Sequence, residues 1–553
     1  MKLQDGLQKQ LDQLRKRYSL GASIAWAMAA VLSAAFIAFI FWAYIPLNMD
    51  EFVSYQTLAC LTHPYAVENV FCSPCSSYYL RVLNRFVLPL LTYDYIGSLT
   101  SLLYAPFYFI WPSPLSGRMT GVITLLIQAL VIAKMFRFRT AMVFCCLLLF
   151  LPYSFVHIAD TGPVAFQTTS VFIICYFLRR WLVEPRWQQR ALLMSAAGLT
   201  FALGCWVKPT YFFVSINLGV ISLAAFLLAM RHRSGERMVR TAEYVLFFLC
   251  AAVPALLVYE ARHLDGSEYL PVLNANFVPG QIAIAGIAQR FSENVLHFLI
   301  NPLDATFPCF AMQIKTPFVS AASCLAAGVL ILSGIFLGGI RWRYRWEILL
   351  NYCLASLTLV LVATNVYAKS MHHAVLAYPF MMLAVARSIQ ARPGAFLPRA
   401  ALVLFLLLNA SLFFKFPQMW ETARSQGNFK AYVAELNDDL NAHYASDSVI
   451  VCVDWGIYFI KSLYGPRSQV VLSLCALKEG QLQQAADIAR RLHRNLTIVG
   501  MRDNQLARKL IVSHFPGGSE LAAPGDKSPW RIWRISLAGL ETPDLPVPAA
   551  GLP

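Results

Sequence analysis

The chain has 553 residues, 58% of them hydrophobic and only 13% charged, with a mean hydropathy of +0.55. A soluble domain averages roughly 45–50% apolar and about 25% charged residues, so this composition excludes an ordinary water-soluble enzyme and points to lipid as solvent. The formal charge of +16 would suit a nucleic-acid binder, but most of the cations stand in short clusters between apolar runs, so they are read as topology-setting charge and no nucleic-acid partner is expected.

At the start of the chain, Leu3, Leu7, Leu11 and Leu14 recur at helical spacing among Lys2, Lys9, Arg15, Lys16 and Arg17. That pattern predicts an interfacial helix over 1–18, lying on an anionic leaflet. The apolar run from about Gly21 to Ile45 is too long for a signal-peptide core and has no small-residue cleavage site after it. It is expected to stay as the first span. Ten further runs of about 17–25 residues, the length a bilayer core requires, fall at 118–136, 140–156, 163–182, 191–207, 211–230, 241–260, 318–340, 346–366, 373–390 and 400–416. The predicted fold is an α-helical polytopic membrane protein with about eleven spans within 19–416.

Charge gives the sidedness. Clusters at Lys134/Arg137/Arg139, Arg179/Arg180/Arg186/Arg190, Arg231/Arg233/Arg237/Arg240, Arg341/Arg343/Arg345 and Arg387/Arg392/Arg399 all fall on the side of the N-terminus, which the positive-inside rule makes cytoplasmic. The segment 96–112 is apolar enough to enter a membrane, but counting it as a span would invert every later loop. It is therefore read as a re-entrant or interfacial helix of the first outer loop, 46–117. A second outer loop, 261–317, holds an amphipathic stretch near 283–300. From 417 to 540 the pattern changes to alternating helix and strand: a helix near 428–444, a strand SVIVCV, a helix near 479–492, and strands LTIVG and WRIWRIS. This predicts a small soluble α/β domain on the outer side, followed by a Pro-rich, disordered tail over 541–553. No internal repeat of the kind that marks many secondary transporters is visible.

Polar residues gather at span ends on the outer face. Asp50 and Glu51 follow the first span in PLNMDEFVSYQ, where two adjacent carboxylates are costly to desolvate. They suit either a helix N-cap or a catalytic base. Asp94 lies in LTYDYIGS, Arg118 opens the second span, Asp160 lies in HIADTGP, Lys208 in WVKPTY, and Lys369, His372 and His373 in YAKSMHHAVLAYP. Singly each reads as a snorkelling or capping residue. Together they outline a rim in which acids can deprotonate a hydroxyl and cations can stabilise a phosphate leaving group. The His pair has no second ligand at usable metal spacing.

In the order of these features the chain resembles the GT-C superfamily of membrane glycosyltransferases, which includes the protein O-mannosyltransferases and the lipid A aminoarabinose transferases. DEFVSYQ resembles the family's Asp-Glu motif in the first outer loop, YDYIGSLTSLLYAPFYFIWPSPLSGRMTGVI the later part of that loop, and HHAVLAYPFMMLAVA the late family segment. The resemblance covers about 1–416. It implies Asp50 as general base with Glu51 in support, and Asp94 positioning acceptor or metal. Arg118, Lys369, His372 and His373 would then face a lipid phosphate. Lys208 joins the phosphate ligands, and Asp160 the acceptor or metal ligands, by position alone. Where family members often have Lys-Pro or Pro-Pro after the second acid, this chain has Tyr95-Ile96, which leaves the role of Asp94 and any divalent metal open.

The implied reaction is inverting transfer of a sugar from a polyprenyl-phosphate donor to a glycan, lipid or protein acceptor at the outer face. No nucleotide-binding motif competes with it: the sequence has no P-loop and no G-x-G-x-x-G. The short loops and lack of a visible retention signal suit a bacterial inner membrane, with the C-terminal domain periplasmic, ahead of the alternative of an ER membrane. Two other classes stay in view, a flippase for lipid-linked glycans and a non-catalytic anchor presenting the α/β domain. The flippase predicts mid-membrane charges, whereas the ionisable residues here cluster at span ends. Cys60, Cys72, Cys75, Cys309, Cys452 and Cys475 fall outside, and the CSPC pair Cys72 and Cys75 suits a local disulfide or free thiols rather than redox catalysis. Asp454 and Trp455 follow a predicted strand, at a place that suits either a bound ligand or a capped helix with a packed Trp.

Overall fold

The computed structural model describes residues 20–36 save 34, 79–82, 86–89, 91–93, 96–111, 114–136, 138–150, 163–208, 211–232, 234–264, scattered positions within 322–336, 342–364, 376–391, 395–411, 436, 439–443, 447–453, 471–473, 479–501, 505–516, 519–522 and 530–536. Backbone contacts divide the chain into two units, Met1–Ser54 with Asp94–Phe429, and Tyr55–Tyr93 with Lys430–Pro553.

The first unit is helical. Its elements are α1 (Leu20–Ser33), α2 (Leu99–Ile110), α3 (Pro114–Met135), α4 (Phe138–Phe150), α5 (Pro163–Val183), α6 (Trp187–Val207), α7 (Phe212–His232), α8 (Arg237–Leu264), α9 (Trp342–Thr364), α10 (Tyr378–Ala391) and α11 (Phe396–Ser411). The described positions between 322 and 336 are helical too. Each follows an apolar run of the sequence, and the α5 bounds match the expected 163–182 within a residue. Several helices begin four residues earlier than hydropathy suggests, because first turns with polar residues, such as Trp187–Arg190 and Arg237–Arg240, continue the helix beyond the apolar stretch. Pro114 and Pro163 open α3 and α5, where a missing N–H is harmless and the fixed φ suits the first turn.

Among the described residues, Ser116–Met135, Trp187–Val207, Phe213–Arg231 and Arg345–Val362 are long and apolar enough to cross a membrane. Leu192, Leu223, Leu227, Phe248, Leu256 and Leu407 point outward and exposed, while Gln128, Gln167, Thr168, Asn217 and Thr358 are buried. That inverts the pattern of a water-soluble bundle and fits hydrocarbon outside. The chain is an integral membrane protein. The α2 helix has 12 residues and so reaches only about 18 Å, short of the roughly 30 Å hydrocarbon core. Its buried face carries Thr100, Ser101, Tyr104 and Tyr108, and its exposed face Leu103, Phe109 and Ile110.

Packing within the helical unit depends on polar ties and close approach. Asn217 Nδ2 on α7 donates to the Leu354 carbonyl (2.8 Å) and to Thr358 Oγ1 (2.7 Å) on α9. Gln128 Nε2 on α3 donates to Thr169 Oγ1 on α5 (2.8 Å). Such bonds pin helices where apolar packing alone gains little over lipid contact. The most extensive helix pair is α6 with α8, and Gly198 makes it possible. A Cβ there would lie 2.3 Å from the Phe247 carbonyl oxygen and 2.9 Å from the Cys250 Cβ. Gly198→Val is therefore expected to destabilise the protein by about 3 kcal/mol, the upper end of overpacking costs. Leu199→Ala, on the outward face, serves as the control with little effect, and thermal unfolding in detergent followed by size-exclusion chromatography reads both.

The second unit contains a hairpin and a sheet. Strands β1 (Tyr79–Val82) and β2 (Phe86–Pro89) pair antiparallel within 46–117, where the sequence announced no strands. The sheet is built of β3 (Ser448–Cys452), β4 (Val471–Ser473), β5 (Asn495–Met501), β6 (Ser519–Ala522) and β7 (Trp530–Ile535), in the order β4-β3-β5-β7-β6. β3 is parallel to both β4 and β5; β7 is antiparallel to β5 and β6. Helices α12 (Glu479–Arg491) and α13 (Gln505–His514) belong to the same unit, and the described residues 436 and 439–443 are helical too. β3, α12, β5 and β7 lie where hydropathy predicted them; β4, β6 and α13 are too short or too polar to have been legible.

The core is Val449, Val451, Ala485, Ala486, Ala489, Ile498 and Trp533. α12 ends in a paired reversal, with His493 N–H bonding the Arg490 carbonyl and Arg494 N–H the Ala489 carbonyl, both 3.0 Å. His493 takes the left-handed conformation, φ 50°, that this motif requires and that glycine usually supplies. Cys452 is buried in β3. The segments 1–18, 283–300 and 541–553, Asp454, Trp455, and Cys60, Cys72, Cys75, Cys309 and Cys475 lie outside the described residues.

Candidate active site

Two of the cations expected at the outer rim are described, and both are buried. Arg118 stands in the first turns of α3 with no exposed surface, and Lys208 directly follows α6 with 2%. A buried cation is costly, which makes the surroundings of these two a candidate site. The elements around them meet at one end of the bundle. Tyr104 on α2 and Ser116 in the first turn of α3 share a hydrogen bond of 3.1 Å between their hydroxyls. The backbone at Gly97, just before α2, lies against the end of α6, where a Cβ would come within 2.1 Å of the Trp206 carbonyl oxygen. The short helix α2 thus bridges the start of α3, with Arg118, and the end of α6, with Lys208.

The turn from α6 to α7 is gripped by α5. Lys208 takes an extended conformation, φ −163° and ψ 138°, that ends α6. Its carbonyl accepts from the Tyr211 N–H at 3.1 Å and from Gln167 Nε2 at 2.6 Å, and Gln167 also reaches the Gly204 carbonyl at 3.3 Å. Ser170 Oγ, one turn along α5, donates to the Tyr211 hydroxyl at 2.7 Å. Gln167, Ser170 and Tyr211 are all buried. None was singled out from the sequence, though a glutamine one turn inside an otherwise apolar span is the kind of signal that could have found it. Two further hydroxyls, Thr100 Oγ1 on α2 and Thr120 Oγ1 on α3, are buried with no hydrogen-bond partner among the described residues.

Asp50, Glu51, Asp94, Asp160, Lys369, His372 and His373 lie outside the described residues. Among the described residues no group of three His, Cys, Asp or Glu could hold a metal ion.

The opposite end of the bundle holds a second polar cluster. Glu243 on α8 accepts from Arg190 Nε on α6 at 2.8 Å and from Trp181 Nε1 on α5 at 2.7 Å. Arg240 lies over the Trp181 ring, 5.0 Å from its centroid, and donates to the Trp181 carbonyl at 2.8 Å. Nearby, Arg387 pairs with Glu347 at 2.7 Å and stacks on Phe136. Arg190, Arg240 and Arg387 were read from sequence as loop cations. They are instead helix residues tied into the protein, and Arg190 and Arg240 are wholly buried.

No protein-family model matches the sequence, and no curated protein does. Among solved structures, the chain is similar to the arabinofuranosyltransferase AftD from Mycobacteria, with 11% identity and a TM-score of 0.50 over 93% of this chain and 40% of that one. It also aligns with ArnT from Cupriavidus metallidurans bound to undecaprenyl phosphate, with 10% identity and a TM-score of 0.38 over 94% of this chain and 99% of ArnT. The first of these likenesses shows that the chain shares the fold of AftD, and it spans 40% of the AftD chain's length.

Proposed function

We propose that this protein is a membrane glycosyltransferase that moves a sugar from a polyprenyl-phosphate donor to a hydroxyl or amine acceptor at the outer face of a bacterial inner membrane. The observation that carries this reading is the burial of two cations, Arg118 and Lys208, at one end of a GT-C-like bundle. The likeness in fold to an arabinofuranosyltransferase supports it, as do the orphan hydroxyls of Thr100 and Thr120, which leave room for polar ligand contacts.

In the proposed reaction the Asp50 carboxylate, with Glu51 in support, removes the acceptor proton. The acceptor oxygen or nitrogen forms its bond to the anomeric carbon as the bond to the phosphate oxygen breaks, with inversion. The electron pair leaves on the lipid phosphate, whose charge Arg118, Lys208, Lys369, His372 and His373 neutralise. Asp94 and Asp160 position the acceptor, or a divalent metal if one takes part.

Transfer from a radiolabelled polyprenyl-phosphate sugar in membranes tests this. Hydrogen bonds to charged groups are worth about 1.5–3 kcal/mol, so Lys208→Ala is expected to raise the donor KM by about tenfold or more at matched folded protein. No labelling from any such donor by the folded wild type, with lipid-linked glycan crossing the bilayer instead, would replace this reading by the flippase.

A further inference from the structure

We propose that Gln167 is a positioning residue for the donor phosphate: it fixes the backbone from which Lys208 departs. The proposal rests on the reading of Lys208 as a phosphate-binding cation. Its geometry is independent of that reading. A helix leaves its last carbonyls without intrahelical partners, and here the Gly204 and Lys208 carbonyls both accept from Gln167 Nε2, at 3.3 and 2.6 Å. Most helix ends meet this need with water or with a glycine-based reversal. Here a side chain from a different helix, 41 residues earlier, supplies it from a wholly buried site.

The same face of α5 holds the other side of the turn. Ser170 lies three residues beyond Gln167, on the same helix face, and its hydroxyl donates to Tyr211, whose N–H bonds the Lys208 carbonyl. Lys208 thus sits between two anchors, its carbonyl held twice, with Gly204 before it and Tyr211 after it both tied to α5. A lysine side chain is long and loses much rotamer freedom when it binds. Fixing its backbone limits the directions in which the ammonium can reach, so that an incoming phosphate meets a prepared cation. Position 167 requires a donor, because both targets are acceptors. Glutamate would set a carboxylate against two carbonyl oxygens, and methionine would fill the space without a donor.

The test measures donor KM and kcat in membranes or nanodiscs for Gln167→Met, Lys208→Ala and the double variant, with thermal unfolding of each and with undecaprenyl phosphate as a competing probe. Expected is a roughly tenfold rise in donor KM for Gln167→Met, with kcat within about threefold of wild type and weaker competition by undecaprenyl phosphate. The double variant should be no worse than Lys208→Ala, because the two act through one group. Multiplying effects in the double variant, or an unchanged donor KM in folded Gln167→Met, overturn the proposal while leaving Lys208 a phosphate ligand. An unchanged KM in Lys208→Ala overturns the underlying reading instead. If Gln167→Met does not fold, Ser170→Ala removes the second anchor more gently. It should then raise the donor KM measurably only when Lys208 is present, and equal effects with and without Lys208 overturn the proposal.

Discussion

Replacing Asp50 with asparagine is expected to reduce sugar transfer by about 10²–10⁴-fold, the contribution general acid–base catalysis typically makes. Asparagine keeps the size and much of the hydrogen bonding of aspartate but cannot accept the acceptor's proton. If Asp50 were only a helix cap, asparagine would serve nearly as well, since the two are equivalent at that position. The substitution therefore separates the two roles that the residue's surroundings in sequence suit. The donor KM should change little, because the base acts on the acceptor, whereas Lys208→Ala should act mainly through KM. Labelling that persists in Asp50→Asn would remove Asp50 as the base and shift attention to Glu51, whose variant Glu51→Gln is the natural companion measurement.

The second large effect is on stability. Glu243 joins three helices at the end of the bundle opposite Lys208, with its side chain 3% exposed and its partners Arg190 and Arg240 at 2% and 1%. Removing one member of a buried ion pair leaves its partners' charge uncompensated and typically costs about 3–5 kcal/mol. Glu243→Ala should therefore lower the thermal midpoint strongly and reduce folded yield. Glu243→Gln, which retains one acceptor oxygen for either Trp181 or Arg190 and keeps the side chain's volume, should cost less. By contrast, breaking the exposed Asp487–Arg490 pair of α12 should change stability by no more than about 1 kcal/mol, because water screens and solvates both charges. Equal midpoints for Glu243→Ala and wild type would mean that Glu236, which also contacts Arg190 at 3.2 Å, carries the pairing.

The membrane part of the fold could be read along the chain because its solvent acts locally. A bilayer about 30 Å thick demands about twenty apolar residues wherever a helix crosses it, so α3, α5, α6 and α7 lie close to where hydropathy puts them. The segment 96–112 was kept out of the span count by charge, since a span there would invert the later arginine clusters, and it contains the 12-residue helix α2. Strands β3, β5 and β7 were legible because their apolar residues are dense and β-branched or aromatic. The hairpin of β1 and β2 was not, since its pairing depends on contacts and its sequence mixes Arg81 and Pro89 with apolar residues.

By itself, the sequence determined that this is a membrane protein, the approximate limits of its helices, and a pattern of rim acids and cations that resembles a glycosyltransferase family. Tertiary structure alone decided which polar residues act together. The bond from Gln167 to the Lys208 carbonyl, the meeting of Arg190 with Glu243 across 53 residues, and the approach of Gly198 to Phe247 have no local signature. Hydropathy is a property of each segment in its solvent, whereas a hydrogen bond or an ion pair between helices exists only once packing has set their rotation and depth. For that reason Arg190 and Arg240, indistinguishable in sequence from their exposed neighbours Arg186 and Arg237, are buried while those neighbours are not.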